Sequence, residues 1–375
     1  MSLISKCGNI VIGRALFCCR LKTIDQTKFH LRWSSSSSFN EKHGQNVNNN
    51  DIIRKSVFIS QSNDVFTNLA LEDWLYRNFD FTNHHVLLLW RNDPCVVIGR
   101  HQNPWLECDT RITEKHGIAL VRRNSGGGTV YHDNGNLNLS FFTPKQRYNR
   151  RYNLDIITRA LYREWGLKAV VNEREDIVVE GRYKVSFDTG IKTNATTSTR
   201  SSIKNLTEVN SKVEIDKLID TLGWEYLRTK PLLLEDGGYD HIQEQKGFQL
   251  INPTEDWFPG IDKLREEFCS WEWIYGRTPQ FSITKDFDMP APNGNLYRVN
   301  LTLEIQKGII EEIRMSLPAN LASPDLNQNA NVLTNLRGMR YDSDIMDNII
   351  ALISCKSFAE SMSQNTKKTN MVATQ

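Results

Sequence analysis

The chain has 375 residues, a formal net charge of +2, and 39% hydrophobic and 24% charged residues. This length suggests about two domains and is ample for a buried core. The charge is uneven: the first 50 residues contain seven Lys or Arg and two acids, which leaves the rest of the chain with a net charge of −3. We therefore exclude a polyanion-binding globular part and expect no nucleic acid partner.

The N-terminal segment is typical of a mitochondrial transit peptide. Residues 1–38 contain six Lys or Arg, one acid and a final run of five serines. A secretory signal fits less well, because Asn9 and Arg14 interrupt its apolar stretch; the alternative is a disordered tail with no targeting role. No run approaches the roughly 20 apolar residues of a membrane span. We expect a matrix protein without membrane contact.

The first half of the chain predicts alternating short strands and helices. Apolar patterns predict strands at residues 56–59, 86–90, 95–98, 118–121, 137–142, 168–171, 177–179 and 183–186. The last two would form a hairpin with its tip at Gly181. Helices are predicted after a cap at Asn63 or Asp64, at residues 109–116, and at residues 154–165 with Gly166 as the C-terminal stop.

The second half predicts a smaller α+β domain. Residues 213–227 have the apolar spacing of an amphipathic helix, and residues 230–248 are polar and irregular. A Trp-rich stretch at residues 270–276 suits a hinge. A hairpin is predicted at residues 296–315 around Lys307 and Gly308, followed by a closing helix at 345–353. Residues 361–375 form a polar tail that we expect to be disordered.

The cysteines do not indicate a metal site or a disulfide framework. Cys95, Cys108, Cys269 and Cys355 lie outside the N-terminal segment and follow no ligand spacing. We expect them to be buried free thiols, with Cys95 in the core of an apolar strand.

The most informative stretch is a glycine-rich loop between two predicted strands. Gly126, Gly127 and Gly128 lack Cβ atoms, so the backbone can lie directly against a ligand. Arg122 and Arg123 precede the loop, where a guanidinium can hold a phosphate or carboxylate. The stretch predicts a pocket for an anionic, partly apolar molecule; the alternative is a hairpin with a glycine bulge. The spacing matches neither a dinucleotide fingerprint nor a P-loop.

Residues 122–136 resemble the R-R-x-S-G-G-G-[AT]-V-[FY]-H-D-x-G-N signature of lipoate–protein ligases and lipoyltransferases. Residues 68–74, 90–105 and 270–281 resemble further landmarks of this family. The resemblance implies an α+β fold of the biotin/lipoate ligase (class II synthetase-like) type, with a mixed β-sheet and a small C-terminal accessory domain. It divides the chain into a transit peptide and linker (1–50), a catalytic domain (51–268), an accessory domain (269–360) and a tail (361–375).

The resemblance also implies the reaction. A lipoyl group would pass from lipoyl-AMP, or from a lipoylated carrier protein, to a lysine of the lipoyl domains of 2-oxoacid dehydrogenase E2 subunits and of the glycine-cleavage H protein. The enzyme would be an acyltransferase and a monomer. Acyl transfer needs no metal, whereas activation of free lipoate would need ATP and Mg²⁺.

Roles for single residues follow from the same resemblance. Lys184 is the expected catalytic residue, because its cation can polarise the acyl carbonyl. The residues expected to bind the lipoyl group or the adenylate are Arg123, Ser125, Gly126, Gly127, Gly128, Val130, Tyr131, His132, Arg174, Asp176, Thr199 and Ser201. The loop at His101 is a secondary candidate for the acyl pocket. Glu175 stands where bacterial members have asparagine.

The family pattern is interrupted after Ser186. Members continue with a strand and a helix, whereas this chain lacks a block of a few tens of residues and resumes the pattern at Ser198. Loss of an internal strand would leave main-chain groups of its neighbours unpaired. Three functions therefore stay open: a lipoyltransferase, a full ATP-dependent lipoate–protein ligase, and a catalytically impaired isoform that only binds. A biotin ligase is disfavoured, because its G-R-G-R-x-x-R loop is absent.

Overall fold

The structure is a computed structural model that describes residues 11–12, 52–179, 191–193, 198, 205–230, 242–290, 296–316, 329–331 and 336–354. Its strands in chain order are β1 (Val11–Ile12), β2 (Ile52–Ser60), β3 (His84–Trp90), β4 (Cys95–Ile98), β5 (Ala119–Arg122), β6 (Val130–His132), β7 (Asn136–Phe142), β8 (Val170–Val171), β9 (Ile177–Val178), β10 (Ile191–Thr193), β11 (Ile242–Ile251), β12 (Phe281–Pro290), β13 (Leu296–Gln306), β14 (Ile309–Ser316) and β15 (Asn329–Asn331). Its helices are α1 (Val65–Asn78), α2 (Pro104–Glu107), α3 (Thr110–Lys115), α4 (Arg150–Trp165), α5 (Leu206–Val209), α6 (Ile215–Arg228), α7 (Ile261–Cys269), α8 (Trp271–Ile274) and α9 (Ile345–Ser354).

These elements form two compact units that do not follow the linear order of the chain. The first consists of Met1–Asp93, His132–Arg182 and Ile203–Leu264. The second consists of Pro94–Tyr131, Tyr183–Ser202 and Arg265–Gln375. The linear division at residue 268 differs from this grouping, because the segment that carries the glycine-rich loop groups with the C-terminal sheet.

The first unit is built on a mixed sheet with strand order β1-β7-β3-β2-β11. β2 runs parallel to both β3 and β11, and β3 runs antiparallel to β7. All seven residues of β7 are buried, so this strand has no solvent-facing side. Its apolar side chains pack with Leu154 and Ile157 of α4 and with Leu218 and Leu222 of α6 in one core.

Local capping explains where the helices of this unit begin and end. Asp64 caps α1 by accepting from the backbone N–H of Thr67, as predicted. α4 begins earlier than its apolar spacing indicated, because Asn149 caps the backbone N–H of Tyr152. It ends at Gly166, whose φ of 66° is the left-handed conformation that glycine adopts without strain.

One prediction for the first unit was wrong. Residues 230–248 were expected to be irregular, but the described part of this range from residue 242 onward belongs to β11, which pairs with all nine residues of β2. A bulge between Gln245 and Gly247 shifts the register, and Gly247 has a φ of 78°. The bulge breaks the period-2 alternation on which a strand prediction depends.

The second unit contains an antiparallel sheet with order β10-β12-β13-β14-β15 and a three-stranded sheet with order β5-β4-β6. The predicted β13–β14 hairpin is present, with Lys307 and Gly308 at positive φ in its turn. Its inward residues and Ile345 and Ile349 of α9 form the core of the C-terminal sheet. β4 and β5 are parallel neighbours, and β6 ends where the first unit resumes.

The cysteine predictions were right for one position and wrong for another. Cys95 is a buried free thiol in β4, as expected, whereas Cys108 is only partly buried and Cys269 is exposed. Cys355 lies outside the described residues.

Within the part of the chain that the structure describes, no helix is both long and apolar enough to cross a membrane.

Candidate functional site

The glycine-rich loop, residues 123–129, joins β5 to β6 and is shaped by the buried side chain of Arg123. The Arg123 guanidinium donates to the carbonyls of Val97 (3.1 Å), Gly126 (2.8 Å) and Gly128 (2.7 Å). These bonds turn the loop carbonyls inward, toward the guanidinium. Gly127, between the two loop acceptors, has a φ of 97°, a conformation that strongly favours glycine.

Arg122 does not have the ligand-binding role that its place before the loop suggested. Its side chain is fully buried and donates to the carbonyls of Gly99, Arg100, Gln102, Trp273 and Ile274 and to Thr278 Oγ1. The Arg122 carbonyl accepts in turn from the Trp273 indole N–H at 2.7 Å. Burial, and then the charge of Arg277, lowers the pKa of Arg122 to about 10, so it stays cationic at neutral pH. Arg122 therefore ties the Trp-rich stretch to the base of the loop.

The glycines of this region serve two different purposes. A Cβ atom on Gly99 would lie 2.0 Å from the carbonyl oxygen of Gly127, and one on Gly128 would lie 3.1 Å from Ser198 Oγ. These two positions are glycine because protein atoms pack against them. A Cβ on Gly126 would meet no atom of the described residues within 4 Å. Packing within the described part of the chain therefore does not explain the lack of a side chain at Gly126.

The residues that follow the loop differ in their exposure to solvent. The Tyr131 side chain is 55% exposed, and Val130 is partly buried. His132, in the first unit, is buried, with its Nδ1 3.0 Å from the side-chain amide nitrogen of Asn92. Asp133 closes the following turn by accepting from the backbone N–H of Gly135 at 2.8 Å. His132 and Asp133 thus order the chain between β6 and β7.

Arg174 and Asp176 lie in the turn that joins β8 and β9 in the first unit. The Asn172 side chain shapes this turn by accepting from the backbone N–H groups of both residues, at 3.0 and 2.8 Å. Their charged groups approach to 3.9 Å. Glu175 between them has a φ of 56°, a conformation that asparagine tolerates better than glutamate. Its carboxylate forms an ion pair with Arg150 at 3.0 Å.

The structure places His101, the secondary candidate near the loop, at the surface. His101 is exposed, whereas the adjacent Gln102, which the resemblance did not single out, is fully buried and hydrogen-bonded to loop atoms. Glutamine is mostly a surface residue, so its burial is a property that sequence reasoning had no signal to detect.

Several predicted residues lie outside the described part of the chain. These are Lys184, Thr199, Ser201 and the junction after Ser186. The predicted hairpin between residues 177–179 and 183–186 also extends beyond it, and within the described residues β9 pairs with β8. The predicted roles of Lys184, Thr199 and Ser201 stay predictions.

A surface cavity of about 530 Å³ in the first unit does not have the chemistry of an adenylate site. The described residues that line it include the acidic Asp133 and Glu214 and no Lys or Arg. A phosphate group needs cationic or N–H donors. Among the described residues, no cluster of three or more His, Cys, Asp or Glu side chains could hold a metal ion.

Comparisons with known proteins identify the class. Residues 64–186 match the family model described as "Lipoyl protein ligase A/B catalytic domain". This match spans α1, the glycine-rich loop and the β8–β9 turn. The mixed sheets and their helices agree with the α+β class that the resemblance implied.

The sequence relatives then specify the family. The chain is 35% identical over 309 residues to "Lipoyl amidotransferase LIPT1, mitochondrial" of Mus musculus, covering 73% of this chain and 79% of the relative. It is 34% identical over 338 residues to the Homo sapiens protein of the same name, covering 80% and 86%. The chain therefore belongs to the mitochondrial lipoyl amidotransferase family. It is an acyltransferase of protein lipoylation, as the resemblance predicted.

Solved structures of lipoate ligases are more distant. "Crystal structure of P. falciparum LipL1 in complex lipoate" matches with a TM-score of 0.46 and 22% identity, covering 70% of this chain and 84% of that one. "Crystal structure of lipoate-protein ligase A bound with ATP" matches with a TM-score of 0.43 and 21% identity, covering 59% and 98%. The family assignment rests on the sequence relatives.

Proposed function

We propose that this protein transfers a lipoyl group from lipoyl-AMP to the ε-amino group of a lysine in the lipoyl domains of 2-oxoacid dehydrogenase E2 subunits and the glycine-cleavage H protein, in the mitochondrial matrix. A lipoylated carrier protein is the alternative donor. The observation that carries the proposal is the glycine-rich loop, which Arg123 holds in shape and whose Gly126 has no atom of the described residues near its Cβ position. The relatives' name, lipoyl amidotransferase, supports lipoyl transfer in protein lipoylation and names neither the donor nor the acceptor.

The proposed chemistry is an aminolysis. The neutral acceptor amine attacks the acyl carbonyl carbon, a C–N bond forms, and the bond from that carbon to the phosphate oxygen of AMP breaks. AMP leaves as an anion, and the proton lost by the attacking nitrogen goes to solvent. Lys184 would stabilise the negative charge that develops on the carbonyl oxygen.

Other residues would bind the donor. The backbone of Gly126–Gly128 and the Val130 side chain would contact the lipoyl chain, with Arg123 acting through the loop shape that it stabilises. Tyr131 and Arg174 would contact the adenylate, with Asp176, Thr199 and Ser201 as further nucleotide contacts. Each contact comes from the family resemblance and is a target for substitution.

Mass spectrometry of an apo E2 lipoyl domain incubated with the full chain and synthetic lipoyl-AMP tests the proposal. We expect a mass gain of one lipoyl group, which Lys184→Ala abolishes. Lys168→Ala is the matched control, because Lys168 is an exposed lysine outside the predicted site and its loss should leave transfer unchanged. No mass gain with a folded wild-type protein would refute lipoyl-AMP as the donor. No mass gain from a lipoylated carrier protein either would refute the transferase and favour an isoform that only binds.

The same preparation separates a transferase from a full ligase. Incubation with free lipoate, ATP and Mg²⁺ should release no pyrophosphate if the protein only transfers. Pyrophosphate release that depends on lipoate would show that the protein also forms the adenylate.

A further inference from the structure

A cluster of polar side chains lies against the glycine-rich loop, and the proposed function gives it no role. Its members are Gln102, Glu107, Thr129 and Ser198, all in the second unit. They come from three separate parts of the chain: the loop and helix after β4, the end of the glycine-rich loop, and the chain beyond β10. We call these four residues the loop-anchoring network.

Gln102 and Ser198 are the two centres of this network. Gln102 Oε1 accepts from the backbone N–H of Gly99 (2.7 Å) and from Thr129 Oγ1 (2.9 Å), and its Nε2 donates to Ser198 Oγ (3.0 Å). Ser198 Oγ also accepts from the backbone N–H of Thr129 at 2.7 Å and donates to Glu107 Oε2. The backbone N–H of Ser198 donates to Glu107 Oε1 at 3.1 Å.

The chemistry of these groups fixes the direction of each bond. An ionised carboxylate only accepts and a backbone N–H only donates. The Ser198 hydroxyl proton therefore points to Glu107, and its two lone pairs accept from Thr129 N–H and the Gln102 amide. That in turn fixes which side of the Gln102 amide faces Ser198. The bonds are mutually consistent, which makes the network a specific constraint on the loop.

Steric contacts act in the same direction. Gly99 lies against the carbonyl of Gly127, and Ser198 lies against Gly128. The glycine-rich loop is therefore held between the chain at Gly99 and the chain at Ser198. Ser198 directly precedes Thr199 in the sequence, one of the residues predicted to contact the nucleotide.

We propose that Gln102 and Ser198 are positioning residues for lipoyl transfer. They fix the position of the glycine-rich loop relative to the chain at residue 198, and this sets the geometry of the surface that binds the acyl donor. The inference rests on the proposed function and deepens it: both residues act on the donor through the loop, and not on the acceptor domain.

Kinetics of Ser198→Ala test the donor side of this inference. The change removes three hydrogen bonds of the hydroxyl: those from the Thr129 N–H and the Gln102 amide, which hold the loop, and the one to Glu107, which does not touch the loop. We expect the KM for lipoyl-AMP to rise about fivefold to tenfold, the factor that loss of one to two neutral hydrogen bonds gives. The kcat and the KM for the apo lipoyl domain should change less than about twofold.

Thr129→Val and Thr129→Ser form a matched pair. Thr129→Val keeps the side-chain shape and removes the hydroxyl that donates to Gln102, so it should raise the KM for lipoyl-AMP in the same direction as Ser198→Ala. Thr129→Ser keeps the hydroxyl and should behave like the wild type. This pair keeps the inference testable if Ser198→Ala does not fold.

Hydrogen exchange measured by mass spectrometry gives a readout that does not require activity. Peptides covering residues 124–131 should exchange faster in Ser198→Ala and Thr129→Val than in the wild type and Thr129→Ser. Peptides from β12 and β13 should not change. Unchanged exchange and unchanged KM in the folded variants would overturn this inference alone. A lower kcat with an equal rise in the KM for lipoyl-AMP and for the apo lipoyl domain, together with a lower Tm, would show a merely structural role and overturn it too.

The experiments distinguish a wrong proposed function from a wrong role of the loop-anchoring network. A wild-type protein that does not transfer lipoyl from lipoyl-AMP overturns the proposed function, and with it the positioning of a donor. Normal wild-type transfer with unaltered donor KM in folded Ser198→Ala and Thr129→Val overturns only the role of the network.

Discussion

Replacing Arg122 by lysine should strongly lower the free energy of unfolding, because it removes hydrogen bonds within the protein. It should not remove a direct contact with the substrate. The guanidinium donates to five backbone carbonyls and one hydroxyl from two stretches of chain, residues 99–102 and 273–278. A lysine ammonium has three donors on one nitrogen. At least three buried acceptors would therefore lose their partner.

The size of the effect follows from that count. A buried polar group left without a hydrogen bond costs about 1–3 kcal/mol. Three such groups reduce the free energy of unfolding by roughly 3–9 kcal/mol, which is a large part of the ~5–15 kcal/mol by which proteins are stable. We expect Arg122→Lys to lower the Tm by roughly 10 °C and Arg122→Ala to yield no folded protein.

Thermal and urea unfolding of the full chain measure this effect. Arg111→Lys is the control, because Arg111 forms exposed ion pairs with Asp109 and Asp344; such pairs contribute about 1 kcal/mol or less. The reasoning is refuted if Arg122→Lys keeps its Tm within about 2 °C of the wild type while the KM for lipoyl-AMP rises. That result would indicate that Arg122 binds the ligand.

Three further predictions concern buried Lys55 and the glycines. Burial, and then the charge of Arg159, lowers the pKa of Lys55 from 10.5 to about 7. Between pH 7 and 10.5 the unfolded chain therefore binds more protons than the folded chain, so the free energy of unfolding rises with pH. The wild type should gain about 2 kcal/mol more than Lys55→Met between pH 7 and 9 in urea titrations, and parallel pH profiles would contradict this. Gly99→Ala should lower the Tm by displacing the Gly127 carbonyl, and an unchanged Tm would exclude that contact. Gly126→Ala should keep the Tm but raise the KM for lipoyl-AMP; an unaltered KM would show that no donor lies against it.

Local sequence signals were sufficient for much of the secondary structure. Asp64, Gly166 and the Lys307–Gly308 turn act on neighbouring residues, so their effects on α1, α4 and the β13–β14 hairpin could be predicted without knowledge of the fold. The strand β11 could not, because a bulge interrupts its pattern and its stability comes from pairing with β2.

For residues with several possible hydrogen-bond partners, only the tertiary structure shows which partners they have. Arg122 and Arg123 are adjacent and look alike as anion-binding groups, yet one binds the Trp-rich stretch and the other the loop carbonyls. Gln102 looks like a surface residue but is fully buried. A side chain's partners come from distant parts of the chain, and sequence alone does not say which of them are near.

The sequence alone was sufficient to determine the family and the reaction class. The residues of the glycine-rich signature are contiguous, so the signature can be recognised without knowledge of the fold. It also determined the α+β character, which depends on local periodicity. Only the tertiary structure decided that residues 94–131 group with the C-terminal sheet and that Arg122 holds protein carbonyls. Both depend on contacts between residues that are distant in the sequence, such as Arg122 and Ile274, which are 152 positions apart.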